Sequence, residues 1–304
     1  MILAAGLTPA WQQILSFDHL TTGEVNRARS TLWCGSGKVL NVGAALHHLG
    51  AESLTLSPIG GATGNQVRDD FASRGIRARW IPVAASTRVC TTLLDESNSI
   101  TTELVENSSP LTSLELDQFV AAFEEEVQSA TCVVLSGSLP QQTPPDFYRR
   151  LMQTSSVRTI MDVRGRELIE CLPLRPWLVK PNREELAATV GRSLDTDSAV
   201  IQAMSEVRAW GAEWVIVSSG PDPLLVLGPE GVTRIAPPHV KVVNPIGCGD
   251  SLTAAIAAKI DAGLEPLEAI RFGVEYSARK AASLYPVLLE PRNEPSPGHS
   301  AAGD

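Results

Sequence analysis

Paired cysteines are missing from this chain. Its five thiols, Cys34, Cys90, Cys132, Cys171 and Cys248, show no CxxC spacing and no regular interval, which disfavours a zinc site and a disulfide framework alike. They read as thiols in a reducing cytosol. Positive charge is also scarce: 25 Lys and Arg stand against 34 Asp and Glu, a formal net charge of −9, so broad binding to a phosphate backbone is not the expected activity. A local basic pocket for one small anion needs only a few arginines or lysines and stays compatible with that balance. No apolar run approaches membrane-spanning length, and the amino-terminal MILAAGLTPA has no charged n-region and reaches Thr8 and Pro9 too early for a secretory signal. A cytoplasmic protein without nucleic-acid or membrane partners is expected.

Two nucleotide-binding fingerprints are absent as well. The stretch after the first apolar run reads GLTPAWQ, without the glycines that a nicotinamide-dependent oxidoreductase needs there. GSGKV, at Gly35 to Val39, has no Ser or Thr after its lysine and no earlier glycine at P-loop spacing. The adjacent His47 and His48 would point in different directions from a helix and read as surface or core histidines. Asp69 and Asp70 read as a solvated helix face.

What is present is a chain of 304 residues, 43% hydrophobic, enough for one large α/β domain or two small ones. Short apolar runs alternate with segments of helical period, the pattern of a mainly parallel sheet with helices on its faces. Strands are expected at Ile2 to Leu7, Ser53 to Ser57, Cys132 to Leu135, Thr159 to Val163, Trp177 to Lys180, Trp214 to Val217 and Leu224 to Leu227. Val39, Val42, Leu46 and Leu49 mark one helix, stopped by Gly50. Leu116, Phe119, Val120, Phe123 and Val127 mark another, with Thr112 and Glu115 at capping-box spacing. Further helices are expected after Asn182, Asp197, Asp250 and Pro266. The segments 11–33 and 87–106 break the alternation and read as a small separate sheet. The domain is expected to span residues 1–290, followed by a disordered tail over 291–304.

The sharpest local feature is VVNPIGCGDSLTAAI, Val242 to Ile256, where an apolar run enters a glycine turn that opens a helix. Gly247 and Gly249, on either side of Cys248, leave backbone N–H groups uncovered at a helix amino terminus, which favours an anion or a developing negative charge. Asp250 stands in the first turn, placed to accept a proton from a hydroxyl that attacks a phosphoryl group held by those amides. The same residues also fit a plainer reading, in which Asp250 or Ser251 caps the helix and the glycines only make the turn.

With CGSGKVLNVGAALHHLG from Cys34, SGSLP at Ser136 to Pro140 and WLVKPNREEL at Trp177 to Leu186 in the same order, NPIGCGDS resembles the signatures of the ribokinase-like, or PfkB, carbohydrate kinase family. GEVN at Gly23 to Asn26 and LTPA at Leu7 to Ala10 resemble the branch of that family containing 1-phosphofructokinase and tagatose-6-phosphate kinase. The resemblance implies a three-layer α/β/α fold with a β-sheet lid formed by about 11–33 and 87–106. It further implies an ATP- and Mg²⁺-dependent kinase of a small sugar or sugar phosphate, with a homodimer through the lid. Asp250 is then the base, and Gly247, Cys248 and Gly249 form the anion hole. Arg88 lies beside the sugar phosphate, where a guanidinium makes a bidentate clamp, with Arg27 and Lys38 as weaker candidates for the same anion. Gln12, Gly37, Asn41 and Ser136 complete the substrate side. Lys180, Ser218, Ser219, Gly220 and Asn244 fall on the nucleotide side. Asn182 and Glu185 match a pair that supports Mg²⁺ through water, although their spacing is also a helix-capping pattern.

Three positions depart from the family pattern. Gln12 stands where relatives carry an aspartate that contacts the substrate, and Thr8 where they carry Asn; Gln can hydrogen-bond a hydroxyl but cannot accept with a charged carboxylate. Val39 replaces a second glycine after the lysine, and its branched side chain would restrict the backbone and add bulk beside the sugar. The resemblance implies transfer of the ATP γ-phosphoryl to fructose 1-phosphate, fructose 6-phosphate or tagatose 6-phosphate. The alternatives are a kinase of an unphosphorylated sugar or nucleoside, and a weakly catalytic sugar-phosphate-binding regulator of the same fold.

Overall fold

The apolar runs pair as strands and the periodic segments wind as helices in a computed structural model that describes residues 1–288. In chain order the strands are β1 (Ile2–Ala5), β2 (Ala10–Phe17), β3 (Ser30–Ser36), β4 (Ser53–Ile59), β5 (Ala78–Pro82), β6 (Arg88–Asp95), β7 (Ile100–Val105), β8 (Cys132–Ser136), β9 (Arg158–Asp162), β10 (Leu178–Val179), β11 (Trp214–Val217), β12 (Leu224–Gly228) and β13 (Gly231–Ile235). The helices are α1 (Lys38–His48), α2 (Gly61–Ser73), α3 (Ser113–Glu126), α4 (Phe147–Gln153), α5 (Gly165–Cys171), α6 (Arg183–Val190), α7 (Asp197–Ala209), α8 (Cys248–Asp261) and α9 (Pro266–Ala281). The tail expected over 291–304 lies outside the described residues.

The large sheet runs β13-β12-β11-β10-β9-β8-β1-β4-β5, parallel from β11 through β5 and antiparallel at β11-β12-β13. Period-two alternation divides its side chains between two cores. Leu3, Ala5, Val133, Leu135 and Met161 pack with Phe119, Tyr148, Leu186 and Met204 of α3, α4, α6 and α7. Ile2, Ala4, Val134, Ile160 and Ile216 face the other way, against α1, α2, α8 and α9 through Leu40, Phe71, Ile256 and Ile270. Both faces are therefore dry, as a parallel sheet requires, and each fully enclosed Leu, Ile or Phe contributes about 1.5–3 kcal/mol. The expected capping box forms at α3: Thr112 Oγ1 accepts from the Glu115 amide at 3.2 Å, and Glu115 Oε2 from the Thr112 amide at 2.7 Å.

The two segments that break the alternation supply a second sheet, ordered β3-β2-β6-β7. Asp70 corrects the expectation of a solvated carboxylate. It is buried on the inner face of α2, where its Oδ2 accepts from the Gly35 amide at 3.0 Å and pairs with Arg74 at 3.1 Å; it ties α2 to the second sheet. Asp69, one residue away, is exposed. Among the described residues no helix is long and apolar enough to cross a membrane.

Candidate active site

The carboxyl ends of the parallel strands open onto one crevice, the ordinary place for a ligand in such a sheet, and α8 aims its amino terminus into it. Gly247 precedes that helix with φ of 82°, and a Cβ there would fall on the Pro286 carbonyl oxygen, so only glycine makes this turn. Cys248 donates to the Pro245 carbonyl at 3.3 Å, and the first intrahelical bond runs from the Ser251 amide to Gly247 O at 2.9 Å. The amides of Gly249 and Asp250 are left as orphan donors of the first turn. Asp250 does not cap the helix, which has no side-chain cap. Its Oδ2 instead accepts from Asn41 Nδ2 at 2.7 Å, and Asn41 Oδ1 in turn accepts from Ser36 Oγ at 3.0 Å. Asn41, expected on the substrate, thus orients the carboxylate.

Behind Asp250 lies a charged cluster. Asp162, at the end of β9 and 1% exposed, receives Lys38 Nζ on Oδ1 at 2.8 Å, and Lys180 Nζ and Thr253 Oγ1 on Oδ2, each at 3.3 Å. Lys38 also reaches Glu185 Oε1 at 3.1 Å. Lys180 stands against the turn, since a Cβ on Gly249 would lie 3.3 Å from its Nζ. Burial raises the Asp162 carboxyl, but Lys180 and Lys38 outweigh it and hold the group down at about 2. Burial lowers Lys38, and Asp162, Glu185 and Asp250 more than reverse this, leaving its ammonium above the usual lysine range. Asp250 goes the other way: burial and then the Asp162 charge push it up to about 6, against Lys38, the Asn41 bond and Lys180. The two buried carboxylates are thereby set apart, one ionised down to about pH 2 and one titrating at about 6. Asp162 was not among the expected site residues. Its signal was an aspartate closing the apolar run TIMD at a parallel strand's carboxyl end.

Beside the α8 terminus is a cavity of about 440 Å³, lined by Ser218, Ser219 and Gly220, by Pro237 to Val240 and by Cys248, Leu252 and Val274. Its apolar walls and polar edge fit a nucleoside. Asn182 and Ser218 form a parallel bridge, and the Arg183 amide donates to Ser218 O at 3.1 Å, which holds the Ser218 to Gly220 loop at the cavity's edge. The Pro237 to Val240 wall went unnoticed in the sequence because nothing in its local pattern marks it. Asn244 is a correction. It is fully buried, with Nδ2 donating to Leu284 O at 2.8 Å and Oδ1 accepting from the Ile246 amide at 3.0 Å, so it shapes the turn instead of facing a nucleotide. Asn182 and Glu185 close a capping box, Asn182 Oδ1 accepting from the Glu185 amide at 2.7 Å and Glu185 Oε2 from the Asn182 amide at 2.9 Å. With Glu185 Oε1 on Lys38, these oxygens are already engaged and fit a hydrated Mg²⁺ better than direct ligation. Among the described residues no three His, Cys, Asp or Glu side chains gather to hold a metal.

On the opposite side, Thr8 joins several of the expected substrate residues. A Cβ on Gly37 would meet Thr8 O at 2.7 Å; one on Gly137 would meet Thr8 Oγ1 at 3.0 Å and Lys38 Cβ at 3.7 Å. Arg88 donates to the carbonyls of Thr8, Pro9 and Glu106 at 3.2, 3.3 and 3.1 Å. That engages three of its five N–H groups and leaves one on each terminal nitrogen. Gln12 is buried in the second sheet and donates to Thr92 Oγ1 at 2.8 Å. Arg27 is exposed between β2 and β3, away from any described partner. Two expectations fail here. Val39 is 1% exposed, in the core between α1 and Gly6, so it adds no bulk beside a substrate. Ser136 is fully enclosed at the end of β8, and its hydroxyl does not reach the crevice.

Comparison with known proteins agrees with this arrangement. The model of the pfkB family carbohydrate kinases matches residues 11–285. Phosphofructokinase-2 from Escherichia coli, in a structure with fructose 6-phosphate, is 27% identical over 92% of this chain and 94% of its own, with a TM-score of 0.82. A possible 1-phosphofructokinase from Thermotoga maritima (23% identical, 94% and 93% covered, TM-score 0.85) and the ribokinase of Arabidopsis thaliana complexed with ribose and ATP (18% identical, 93% and 92% covered, TM-score 0.71) share the fold. The chain belongs to the pfkB family of carbohydrate kinases.

Proposed function

We propose that this kinase transfers the γ-phosphoryl group of ATP to a hydroxyl of a ketohexose phosphate, giving a bisphosphate and ADP. The observation that carries the reading is the position of Asp250: an enclosed carboxylate in the first turn of α8, the helix whose Cys248 and Leu252 line the nucleotide-sized cavity. As the acceptor oxygen bonds to phosphorus and the bond to the ADP oxygen breaks, the acceptor's proton passes to Asp250. The Gly249 and Asp250 amides, with Lys180 beside them, take up charge on the transferred group. Asn41 holds the carboxylate in line. Mg²⁺, when bound, neutralises phosphate charge, and Asn182 and Glu185 would hold it through water.

Arg88 supports an acceptor that already carries phosphate, through its two remaining N–H groups. Its three bonds to carbonyls favour a second reading, an unphosphorylated sugar, in which Arg88 only ties the second sheet to the first. Coupled ADP release with Mg·ATP across fructose 1-phosphate, fructose 6-phosphate, tagatose 6-phosphate, fructose, ribose and adenosine separates the two: turnover of a phosphorylated ketose is expected, and turnover of ribose or fructose alone would overturn it. The edge strand β7 leaves Ile100, Leu104 and Val105 more than half exposed, which supports a homodimer covering the lid. Sedimentation velocity is expected to give a dimer, and a monomer at micromolar concentration removes that part of the reading.

A further inference from the structure

Lys280, in the last turn of α9, is completely enclosed, and its ammonium donates to the Asn244 carbonyl oxygen at 2.6 Å. Lysine is almost never buried in this way without a partner for its charge, and the reaction as described makes no use of it. What it touches is the stem of the phosphate-facing turn. The Val243 and Asn244 amides donate to Ala281 O at 2.7 and 3.2 Å, and Ser277 Oγ donates to Cys248 O at 2.8 Å. Asn244 then accepts from the Ile246 amide, one residue before Gly247. The contact therefore passes from Lys280 through Asn244 and Ile246 to the residues that present the Gly249 and Asp250 amides.

We propose that Lys280 is a positioning residue for phosphoryl transfer, an enclosed cation that holds the Asn244 carbonyl and keeps the amides at the amino end of α8 aimed at the transferred group; this rests on the kinase reading above. A neutral side chain of similar shape would fill the same space without the desolvation cost of the ammonium, so the charge is retained at the expense of stability.

The groups that face the ammonium are Cys248 and Asp250 of α8 and Cys34 of β3. Burial pulls Lys280 down to about 8, against the influence of Cys248, Asp250 and Cys34. Burial raises both thiols, Cys34 to about 12. As pH rises, Asp250 loses its proton first, through about 6, and Lys280 changes charge next, ahead of both thiols: its cation is present below about 8 and lost above.

The test compares wild type with Lys280→Met and Lys280→Arg. It follows kcat, both KM values, the affinity for a non-hydrolysable ATP analogue and the melting temperature across pH. Lys280→Met is expected to melt no lower than wild type, to lose about 10- to 100-fold in kcat, less than the ~10²–10³ for deleting an anion-hole donor outright, and to keep the sugar KM within about twofold. Wild-type activity and analogue affinity are expected to fall through about pH 8, with that limb absent in Lys280→Met and moved beyond the measured range in Lys280→Arg. Wild-type kcat and analogue affinity in Lys280→Met, or an unmoved limb in Lys280→Arg, overturn the inference. If Lys280→Met does not fold, the Lys280→Arg profile decides. If wild type turns over no sugar, the kinase reading fails, and the pH profile of analogue binding still decides the role of Lys280.

Discussion

An Asp250→Asn variant is expected to lose about 10²- to 10⁴-fold in kcat at neutral pH, the usual range for removing a positioned general base, while ATP-analogue affinity changes little. Asparagine retains an oxygen for the Asn41 amide but cannot accept the acceptor's proton. The same change is expected to stabilise the fold. Asp250 titrates at about 6 when folded, against an ordinary value of 3.8, so between these values the native state binds more protons than the unfolded chain, and stability falls as pH rises. By pH 7 that loss is on the order of 3 kcal/mol, and Asp250→Asn removes it. Urea unfolding at pH 4 and pH 8 checks the sign: wild type and variant should agree at the lower pH and diverge, with the variant more stable, at the higher. Wild-type kcat/KM should rise through about pH 6. A variant that keeps more than about a tenth of wild-type kcat would remove Asp250 from the role of base.

The second large effect is expected from Asp162→Asn. Two ammoniums converge on this enclosed carboxylate, and neutralising it leaves both without their counter-charge in the interior, a loss of about 3–5 kcal/mol by comparison with other broken buried pairs. Here the sign of the linkage is opposite to that of Asp250. The folded value, about 2, lies below the ordinary 3.8, so the stabilisation is fully present above about 4 and lost as pH falls toward 2. Wild-type stability should therefore fall across that window, and Asp162→Asn should already be weakened at pH 7. The variant should also lose activity beyond its loss of stability, because Lys38 and Lys180 are no longer held against Glu185 and the Gly249 turn. A fully stable Asp162→Asn protein would show that the two lysines find other partners.

Much of this arrangement is legible in the chain because its signals are local. Thr112 with Glu115, and Asn182 with Glu185, are capping boxes at the spacing the helix demands, and Gly247 makes the turn that opens α8. The short apolar runs became the inner strands because nothing but a doubly covered sheet accommodates them. The short edge runs ARWIP and GVTRI, in β5 and β13, gave little signal, and α4 and α5, at seven residues each, are too short to show a helical period. The rest depends on side-chain direction and distant contacts. Val39, Ser136 and Asn244 sit in the expected segments but turn inward, which no single-sequence spacing reveals. Asp162 acquires its role only when the β8-β9-β10 register brings Lys180 beside it and α1 delivers Lys38 from 124 positions away.

The latching of the phosphate-facing turn onto Leu284 and Pro286 has a bearing on synthesis. Asn41 meets Asp250 across 209 positions, and the turn itself closes against α9, through Ser277, Lys280 and Ala281, and against Leu284 and Pro286 beyond it. A growing chain has both sheets' strands and most of both cores before that segment emerges from the ribosome, yet its phosphate-binding turn is still unlatched. The turn at the α8 amino terminus is thus among the last parts of the site that synthesis can complete.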